Sequence, residues 1–255
     1  MIGPTAPTGA GSLRLQILGP LRLWRDGVEL DAGPRQQAQL LALLVARVGR
    51  PVSTRELIDL IWAEDAPASA LNIIQKYVGA LRRILEPSVP ARAPGTHLHR
   101  RGDAYVFTAG PGTLDLVRFR ELRQAALFAD DDDVALDHYV EALGLWHGPA
   151  GEGLSYGSTA PPILAALDDE FHAACTAAAE LAVSSGHPER VIPPLRLAAS
   201  MALFHEPVHA SLVTTLAPPA GRRRPCRHST RSVPASRRSS ASTPAPRCGP
   251  RICRC

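Results

Sequence analysis

NIIQKYVGALRRIL, residues 72–85, contains the only lysine of a chain that has 28 Lys and Arg residues. When the stretch is placed on a helix at about 100° per residue, one side of that helix is apolar. This side carries Ile73, Ile74, Tyr77, Val78, Leu81, Ile84 and Leu85. The opposite side is a polar stripe formed by Asn72, Gln75, Lys76, Gly79 and Arg83, with Arg82 at its edge. The spacing predicts an amphipathic helix.

The polar stripe has the composition of a nucleic-acid contact surface. It holds two amides, three cations and a glycine, and it holds no acid. Amides can read adenine edges, cations can bind guanine or phosphate, and a glycine lets a helix approach a groove closely. An ordinary solvated helix face is the alternative for any single helix, but the lack of acids argues against it here. The stripe therefore predicts a DNA-reading helix.

Charge divides the chain into three parts. Residues 1–110 carry 13 basic and 9 acidic side chains, whereas residues 111–217 carry 5 basic and 15 acidic ones. Residues 218–255 carry 10 basic side chains and no acid. A mildly basic front and an acidic middle indicate one part that meets polyanions and one that does not.

Several classes of protein are disfavoured by composition. There is no run of 18 apolar residues and no basic patch followed by an apolar block, so neither a membrane span nor a signal peptide is predicted. We therefore expect a cytoplasmic protein. Four of the five cysteines lie in the last 38 residues, a distribution unlike that of a secreted disulfide framework.

Two segments predict β-hairpins on either side of the helical stretches. Residues 13–30 alternate apolar and polar side chains and contain Asp26-Gly27, a two-residue hairpin signal. We expect two or three short antiparallel strands there. Farther along, two β-prone runs flank Arg101-Gly102-Asp103. These runs predict a hairpin with Arg100 and Arg101 near its tip.

Two further helices are predicted between these hairpins. In residues 33–49, Pro34 marks a helix start and Gly49 follows the helix end. Ser53 stands three residues before Glu56, the spacing of a capping box ahead of an apolar-periodic run. Together with residues 72–85, the first half therefore contains three helices.

From Leu116 to about Leu216 the sequence predicts helices without strands. Loosely repeated helix pairs of about 35 residues are typical of a tetratricopeptide-like stack. The run Asp130 to Asp133 is predicted to be a solvated turn that caps the next helix. Pro193-Pro194 is predicted to interrupt a helix of this part.

Catalytic and metal motifs are weak. His205-Glu-Pro-Val-His209 matches a zinc-protease string, but Pro207 belongs at a helix start and would leave His205 outside the helix. Gly153-Leu-Ser155-Tyr-Gly157 matches a nucleophile elbow without the strand before it that this motif requires. The tail offers Cys226, His228, Cys248, Cys253 and Cys255 in no defensible zinc spacing. We predict no enzymatic activity, no cofactor and no metal.

The order of strands, two helices, a polar-faced helix and an arginine hairpin resembles the winged-helix DNA-binding domain of the OmpR/PhoB type. With an acidic helical domain behind it, the chain is similar to the Streptomyces antibiotic regulatory protein (SARP) family, whose second domain is the bacterial transcriptional activation domain. The matching stretches are LRLQILGPLRL, GPRQQAQLLALLVAR, VSTRELIDLIW, ALNIIQKYVGALRRIL, DAYVF, LDLVRFRELRQAA, ALDHYVEALGLWHGPA and HEPVHASLVTTLA. The resemblance covers roughly residues 13–217.

The resemblance implies a fold and a division into domains. It implies an α+β winged helix-turn-helix domain at 13–110 and an all-α tetratricopeptide-like activation domain, truncated, at 111–217. Residues 1–12 are expected to be a disordered N-terminus. Residues 218–255 are expected to be a disordered tail rich in Arg, Pro and Ser.

The resemblance also assigns roles to residues. The third helix would enter the major groove, and Asn72, Gln75, Lys76, Gly79, Arg82 and Arg83 would be its groove-facing or groove-edge residues. Arg100 and Arg101 would be wing contacts. Ser53 and Thr54 would contact phosphate through the start of the second helix.

Family members activate secondary-metabolite genes, including antibiotic clusters, so the resemblance implies a sequence-specific transcriptional activator. Its expected partners are double-stranded DNA carrying direct repeats near promoters, RNA polymerase and other copies of itself on DNA, with no membrane partner. The alternative is a protein-interaction module in which the tetratricopeptide-like domain binds a partner and the winged helix is structural. Steeply salt-dependent DNA binding would favour the transcriptional activator over the protein-interaction module.

The basic tail is expected to be the product of a frameshift. Residues 218–255 can be back-translated with GC-rich codons, and the resulting bases can then be read in a second frame that begins one base upstream of each codon. This shifted frame permits a helical, partly acidic sequence similar to the family's C-terminal helices. The second base of each shifted codon is fixed by the tail residue itself, so this match is constrained. A basic arm that binds nucleic acid is the alternative.

Resequencing of the gene provides a direct test of the tail. We expect the codons for residues 218–255 to encode such helices in the shifted frame, because chance rarely yields an amphipathic sequence in a second frame. If the shifted frame contains stop codons or no helical periodicity, the basic-arm interpretation replaces the frameshift.

Overall fold

A computed structural model describes residues 12–90, 95–154 and 162–217. The first element in these ranges is a three-stranded antiparallel sheet. Its strands are β1 (Leu13–Gln16), β2 (Arg22–Arg25) and β3 (Val28–Leu30), in that order. The predicted turn joins β2 to β3, and positive φ angles of 51° at Asp26 and 80° at Gly27 give it the twist that suits a tight hairpin. The predicted first hairpin is confirmed.

Three helices follow and pack on one another. They are α1 (Arg35–Ala46), α2 (Thr54–Trp62) and α3 (Ala70–Leu85), and each contacts the other two. The middle of α1 is fully buried and forms the centre of the core. The stretch quoted at the outset forms the last 14 residues of α3.

A second sheet completes the winged helix. Strands β4 (Pro51–Ser53), β5 (Leu98–Arg101) and β6 (Ala104–Phe107) lie in the order β4-β6-β5. The hairpin of β5 and β6 is the predicted arginine hairpin, and Gly102 allows its turn with a φ of 64°. We call this hairpin the wing. Strand β4 was not predicted from the sequence, because three residues are too few to show an alternating pattern.

The predicted capping box at the start of α2 is only half formed. The Ser53 hydroxyl accepts a hydrogen bond from the backbone N–H of Glu56 at 3.1 Å. The Glu56 carboxylate does not return to Ser53, because it binds the Arg47 guanidinium at 3.2 Å instead. Ser53 therefore caps α2, while Glu56 ties α2 to the end of α1.

In residues 115–154 and 162–217 the chain is helical, as predicted. It contains α4 (Asp115–Leu127), α5 (Asp132–Leu143), α6 (Pro162–Ser185), α7 (Ile192–Met201) and α8 (Glu206–Leu216). Successive helices pack in pairs, and α6 contacts α5, α7 and α8. The Asp131 carboxylate accepts the N–H groups of Asp133 and Val134 and caps α5, which confirms the predicted capping turn.

The aromatic core of this helical domain joins α4 to α6 through a loop residue. Trp146 stacks on Phe171 with ring centroids 4.5 Å apart and meets the edge of Phe119 at 5.5 Å. Both Phe side chains are fully buried. Burial of each such side chain stabilises the fold by roughly 1.5–3 kcal/mol.

The prediction that Pro193-Pro194 interrupts a helix is wrong. A 3-10 turn, Pro188–Val191, precedes α7, and the two prolines occupy the first turn of α7. The N–H groups of a first turn have no partner within the helix, so proline costs little there. The pair starts a helix and does not break one.

His205 and His209 are placed as the sequence analysis expected. His205 precedes α8 and caps it, its Nδ1 accepting the N–H of Val208 at 3.3 Å, while His209 lies inside the helix. Within the described ranges, no three His, Cys, Asp or Glu side chains are grouped so that they could hold a metal ion. Likewise, no helix there is long and apolar enough to cross a membrane.

Asp115, the first residue of α4, joins the helical domain to the first sheet. Its partly buried carboxylate accepts the N–H groups of Ile17 at 2.9 Å, Leu18 at 3.0 Å and Leu116 at 2.7 Å. Farther along, the His147 N–H donates to the Leu18 carbonyl at 2.9 Å. The boundary predicted at residue 110 thus lies just before a joint in which the two domains share backbone hydrogen bonds.

Replacement of Asp115 by Ala should weaken this joint. Three backbone N–H groups would lose their acceptor, and all three belong to fully buried residues, so we expect the free energy of unfolding to fall by about 2–4 kcal/mol. Chemical denaturation at a fixed pH of about 4, where this stabilisation is full, measures the change. Asp130→Ala, which removes an exposed carboxylate of the α4–α5 turn, is the control and should behave like the parent.

The effect should also depend on pH. Burial raises the pKa of Asp115 to about 6, although the three N–H donors act in the opposite direction. The folded chain therefore takes up this proton at higher pH than the unfolded chain, and the stabilisation from Asp115 is full below about pH 4 and declines as the pH rises towards 6. The stability difference between the parent and Asp115→Ala should shrink over that window. A difference that grows with pH would contradict the assignment.

Candidate nucleic-acid interface

The two faces of α3 differ as the periodicity predicts. Ile74, Val78, Leu81 and Leu85 are buried against the rest of the domain. Asn72, Gln75, Lys76, Gly79 and Arg83 are all exposed. The apolar side holds the helix in place, and the polar side is free to meet a ligand.

Gly79 and Arg83 shape the exposed face of α3. A side chain at Gly79 would meet no atom within 4 Å, so the backbone of the helix is uncovered there. Arg83 lies one turn later, and its Nε donates to the Gly79 carbonyl at 3.3 Å. The guanidinium is thus held beside the uncovered turn with its other donors directed to solvent.

Arg82 has a different position from the rest of the predicted set. It is half-buried, and its Nε donates to the Leu98 carbonyl at the start of β5 at 2.9 Å. Through this bond the Arg82 guanidinium holds the wing beside α3. The helical periodicity places Arg82 at the edge of the stripe but does not reveal this contact, because Leu98 lies 16 residues from Arg82 in sequence.

The wing carries the two predicted arginines on its exposed end. Arg101 is exposed in the last position of β5, and Arg100 is exposed with its Nε donating to the Gly102 carbonyl at 2.8 Å. This local bond shapes the turn of the wing. The guanidinium of Arg101 projects with no partner among the described residues.

The start of α2 is attached to the tip of the wing. The backbone N–H and the hydroxyl of Thr54 both donate to the Asp103 carbonyl, at 3.0 and 2.6 Å. Thr54 therefore has neither donor free for a phosphate, although both groups lie beside the wing turn. Ser53 keeps its hydroxyl hydrogen, because its oxygen only accepts from Glu56. Of the two predicted phosphate contacts, Ser53 retains a side-chain donor.

Arg55 was missed in the sequence analysis. It is exposed in the first turn of α2, next to Thr54. A cation in a first turn opposes the positive end of the helix dipole, so it suits a position that faces an external anion. That mismatch between charge and position was the signal available in the sequence.

The exposed cations of α3 and the wing are Lys76, Arg83, Arg100 and Arg101. Within the described part of the chain, none of them forms an ion pair with a carboxylate. An unpaired set of exposed cations on a rigid helix and hairpin can bind a polyanion and release its counterions. The geometry suits a helix that enters a groove and a wing that contacts the backbone beside it.

The remaining catalytic string gives no site. Gly153 and Leu154 lie in a loop after α5, with no strand before them. Ser155 and Gly157 lie outside the described residues. Cys175 is buried in α6, and burial raises the pKa of its thiol well above the usual range. A thiol in that state is a poor nucleophile.

Comparison with known proteins defines the class of this molecule. The family described as "Transcriptional regulatory protein, C terminal" matches residues 29–105, and the family described as "Bacterial transcriptional activator domain" matches residues 114–226. The chain therefore contains the two domains that these families describe, a winged-helix domain and a helical bacterial transcriptional activator domain. Specifically, it belongs to the Streptomyces antibiotic regulatory protein family, which confirms the resemblance found in the sequence.

Individual relatives support this assignment. Regulatory protein AfsR of Streptomyces coelicolor is 38% identical over 154 residues, which cover 59% of this chain and 15% of AfsR. Regulatory protein DnrI of Streptomyces peucetius is 25% identical over 210 residues, covering 80% of this chain and 77% of DnrI. The structure of Mycobacterium tuberculosis EmbR in complex with a low-affinity phosphopeptide aligns with a TM-score of 0.68 and 30% identity, over 80% of this chain and 54% of EmbR.

The chain thus spans a small part of AfsR and about half of EmbR.

The role of Arg82 can be separated from that of its neighbour Arg83. Arg82→Ala removes the bond to the Leu98 carbonyl, so amide hydrogen exchange in β5 and β6 should accelerate, by about fivefold for the loss of about 1 kcal/mol. Arg83→Ala is the matched control, since its Nε binds only within α3. Equal exchange in the two variants would show that Arg82 does not hold the wing.

Proposed function

We propose that this chain is a sequence-specific DNA-binding transcriptional activator that reads operator DNA with α3 and contacts the adjacent backbone with the wing. The observation that carries the proposal is the exposed, acid-free face of α3, whose opposite face is buried in the core. Asn72 and Gln75 provide bidentate amides for adenine, and Lys76 and Arg83 provide donors for guanine. Arg101, Arg55 and Ser53 contact phosphates.

The helical domain has a different task in this proposal. Its residues carry 15 acidic and 5 basic side chains, a balance that repels DNA phosphates overall. We infer that it recruits RNA polymerase and supports self-association of the regulator on direct repeats. The names of the relatives support a regulatory and not a catalytic role. Membership of an antibiotic regulatory family supports secondary-metabolite genes as the targets.

Two substitutions in α3 test base reading. Lys76→Ala and Arg83→Ala should each weaken operator binding by about 1–3 kcal/mol, with relaxed discrimination at the base pair that each contacts. Fluorescence anisotropy with an operator and with mutated operators, at one fixed salt concentration, measures both effects. Arg22→Ala, on β2 and paired with Glu29 at 3.8 Å, is the control and should bind like the parent.

One substitution in the wing tests backbone contact. Arg101→Ala should weaken binding to all sequences about equally and reduce the slope of log affinity against log salt by about one. If both α3 variants bind the operator like the parent, α3 is not the reading helix. If DNA binding by the parent shows no salt dependence, the alternative of a protein-interaction module is favoured.

A further inference from the structure

An arginine-rich cleft lies between the two domains, away from the exposed face of α3. Its volume is about 630 Å³, and it is bounded by the end of α1 on one side and by α4 and α6 on the other. Four arginines line it, two from each domain: Arg47, Arg50, Arg120 and Arg123. Glu170 is the one acid among its described lining residues.

The positive charge of the cleft is incompletely balanced. Glu170 serves two arginines at once, binding Arg120 through two hydrogen bonds of 2.6 and 3.0 Å and lying 3.6 Å from Arg123. Arg47 is paired with Glu56, while Arg50 is exposed and its side chain has no partner among the described residues. Arg50 and Arg123 therefore keep guanidinium donors free, and the four cations exceed the two acids.

The arginines are held in place around an apolar floor. Arg123 lies over the ring of the buried Phe119 at 5.8 Å, which fixes the direction of its guanidinium. Ala46, Ile163 and Leu167 provide apolar surface between the arginines. The first turn of α6 also borders the cleft, and its helix dipole adds partial positive charge. Such a site combines anion donors with a surface for a ring.

We propose that this cleft binds a small phosphorylated compound with at least two negative charges and a flat apolar ring, the chemistry of a nucleoside diphosphate. Arg50 and Arg123 bind the phosphates from opposite sides, because bidentate guanidinium contacts suit phosphate oxygens. The ring lies on the apolar floor. A ligand held from both sides would fix the winged helix relative to the helical domain, which makes it a candidate regulator of the proposed activator.

Calorimetry on the full chain without DNA tests the binding step, with ADP, pyrophosphate and adenosine as the probes. ADP should bind more tightly than pyrophosphate because the ring adds contacts, and adenosine should bind weakly. Arg50→Ala should weaken ADP binding, and the Arg50→Ala/Arg123→Ala double variant should weaken it by about tenfold or more. Arg50 is exposed and unpaired, so the single variant should keep the parent's thermal stability.

Arg118→Ala is the matched control. It removes an arginine from the same helix, α4, and breaks an ion pair with Glu141, but it lies outside the cleft. It should bind ADP like the parent. Equal losses in Arg118→Ala and in the cleft variants would indicate a general charge effect and overturn the proposal.

Two further outcomes would also overturn it. One is that none of the phosphate probes binds at millimolar concentration. The other is that the cleft variants bind ADP like the parent. Weaker operator binding by the cleft variants, with no ADP binding in the parent, would assign the cleft to the DNA backbone instead. Because ADP binding is measured without DNA, failure of the DNA-binding proposal would be seen separately, in the operator measurements.

Discussion

The carboxylate of Asp115 joins the winged-helix domain to the helical domain. It is partly buried, and it accepts three backbone N–H groups, two from the segment after β1 and one from its own helix. A buried carboxylate without such donors would be strongly destabilising, so the N–H groups must stay within hydrogen-bonding distance. The first sheet is therefore fixed to the helical domain as well as to the winged helix.

The two arginine-rich surfaces of the molecule differ in a way that follows from this joint. Lys76, Arg83, Arg100 and Arg101 are exposed and form no ion pair with the described residues, as expected where a long polyanion approaches from solvent. Those of the interdomain cleft are mostly half-buried and share carboxylates. A half-buried, partly neutralised set favours a small anion of defined shape.

Much of this fold could be predicted from local patterns in the sequence. Period-2 alternation, the Asp26-Gly27 turn and the apolar periodicity of α3 each depend on residues close in sequence, and each was confirmed. Two further features depended on partners outside the local pattern. Glu56 binds Arg47 and does not complete the capping box, and Arg82 binds the Leu98 carbonyl and does not face solvent fully. No periodicity encodes such choices.

The same limit applies to the candidate sites. The exposed set on α3 could be predicted because one helix carries all of it. The cleft could not, because its arginines come in two pairs, one from each domain, that are at least 70 residues apart in sequence. The error at Pro193-Pro194 is of the opposite kind. The proline pair is a strong local signal, and it was predicted to lie inside a helix, whereas it stands in the first turn of one.

Besides its buried apolar side, α3 is supported by contacts to its backbone carbonyls. Arg25 donates to the carbonyls of Ile84 and Leu85 at 2.6 and 2.8 Å, and the Glu86 N–H donates to the Arg82 carbonyl. Contacts to carbonyls are indifferent to which side chains α3 exposes. Substitutions at the solvent-facing positions can therefore accumulate without loss of the fold, so that, if α3 reads DNA as proposed, descendants of one ancestral protein could acquire new target genes by drift at a few surface positions.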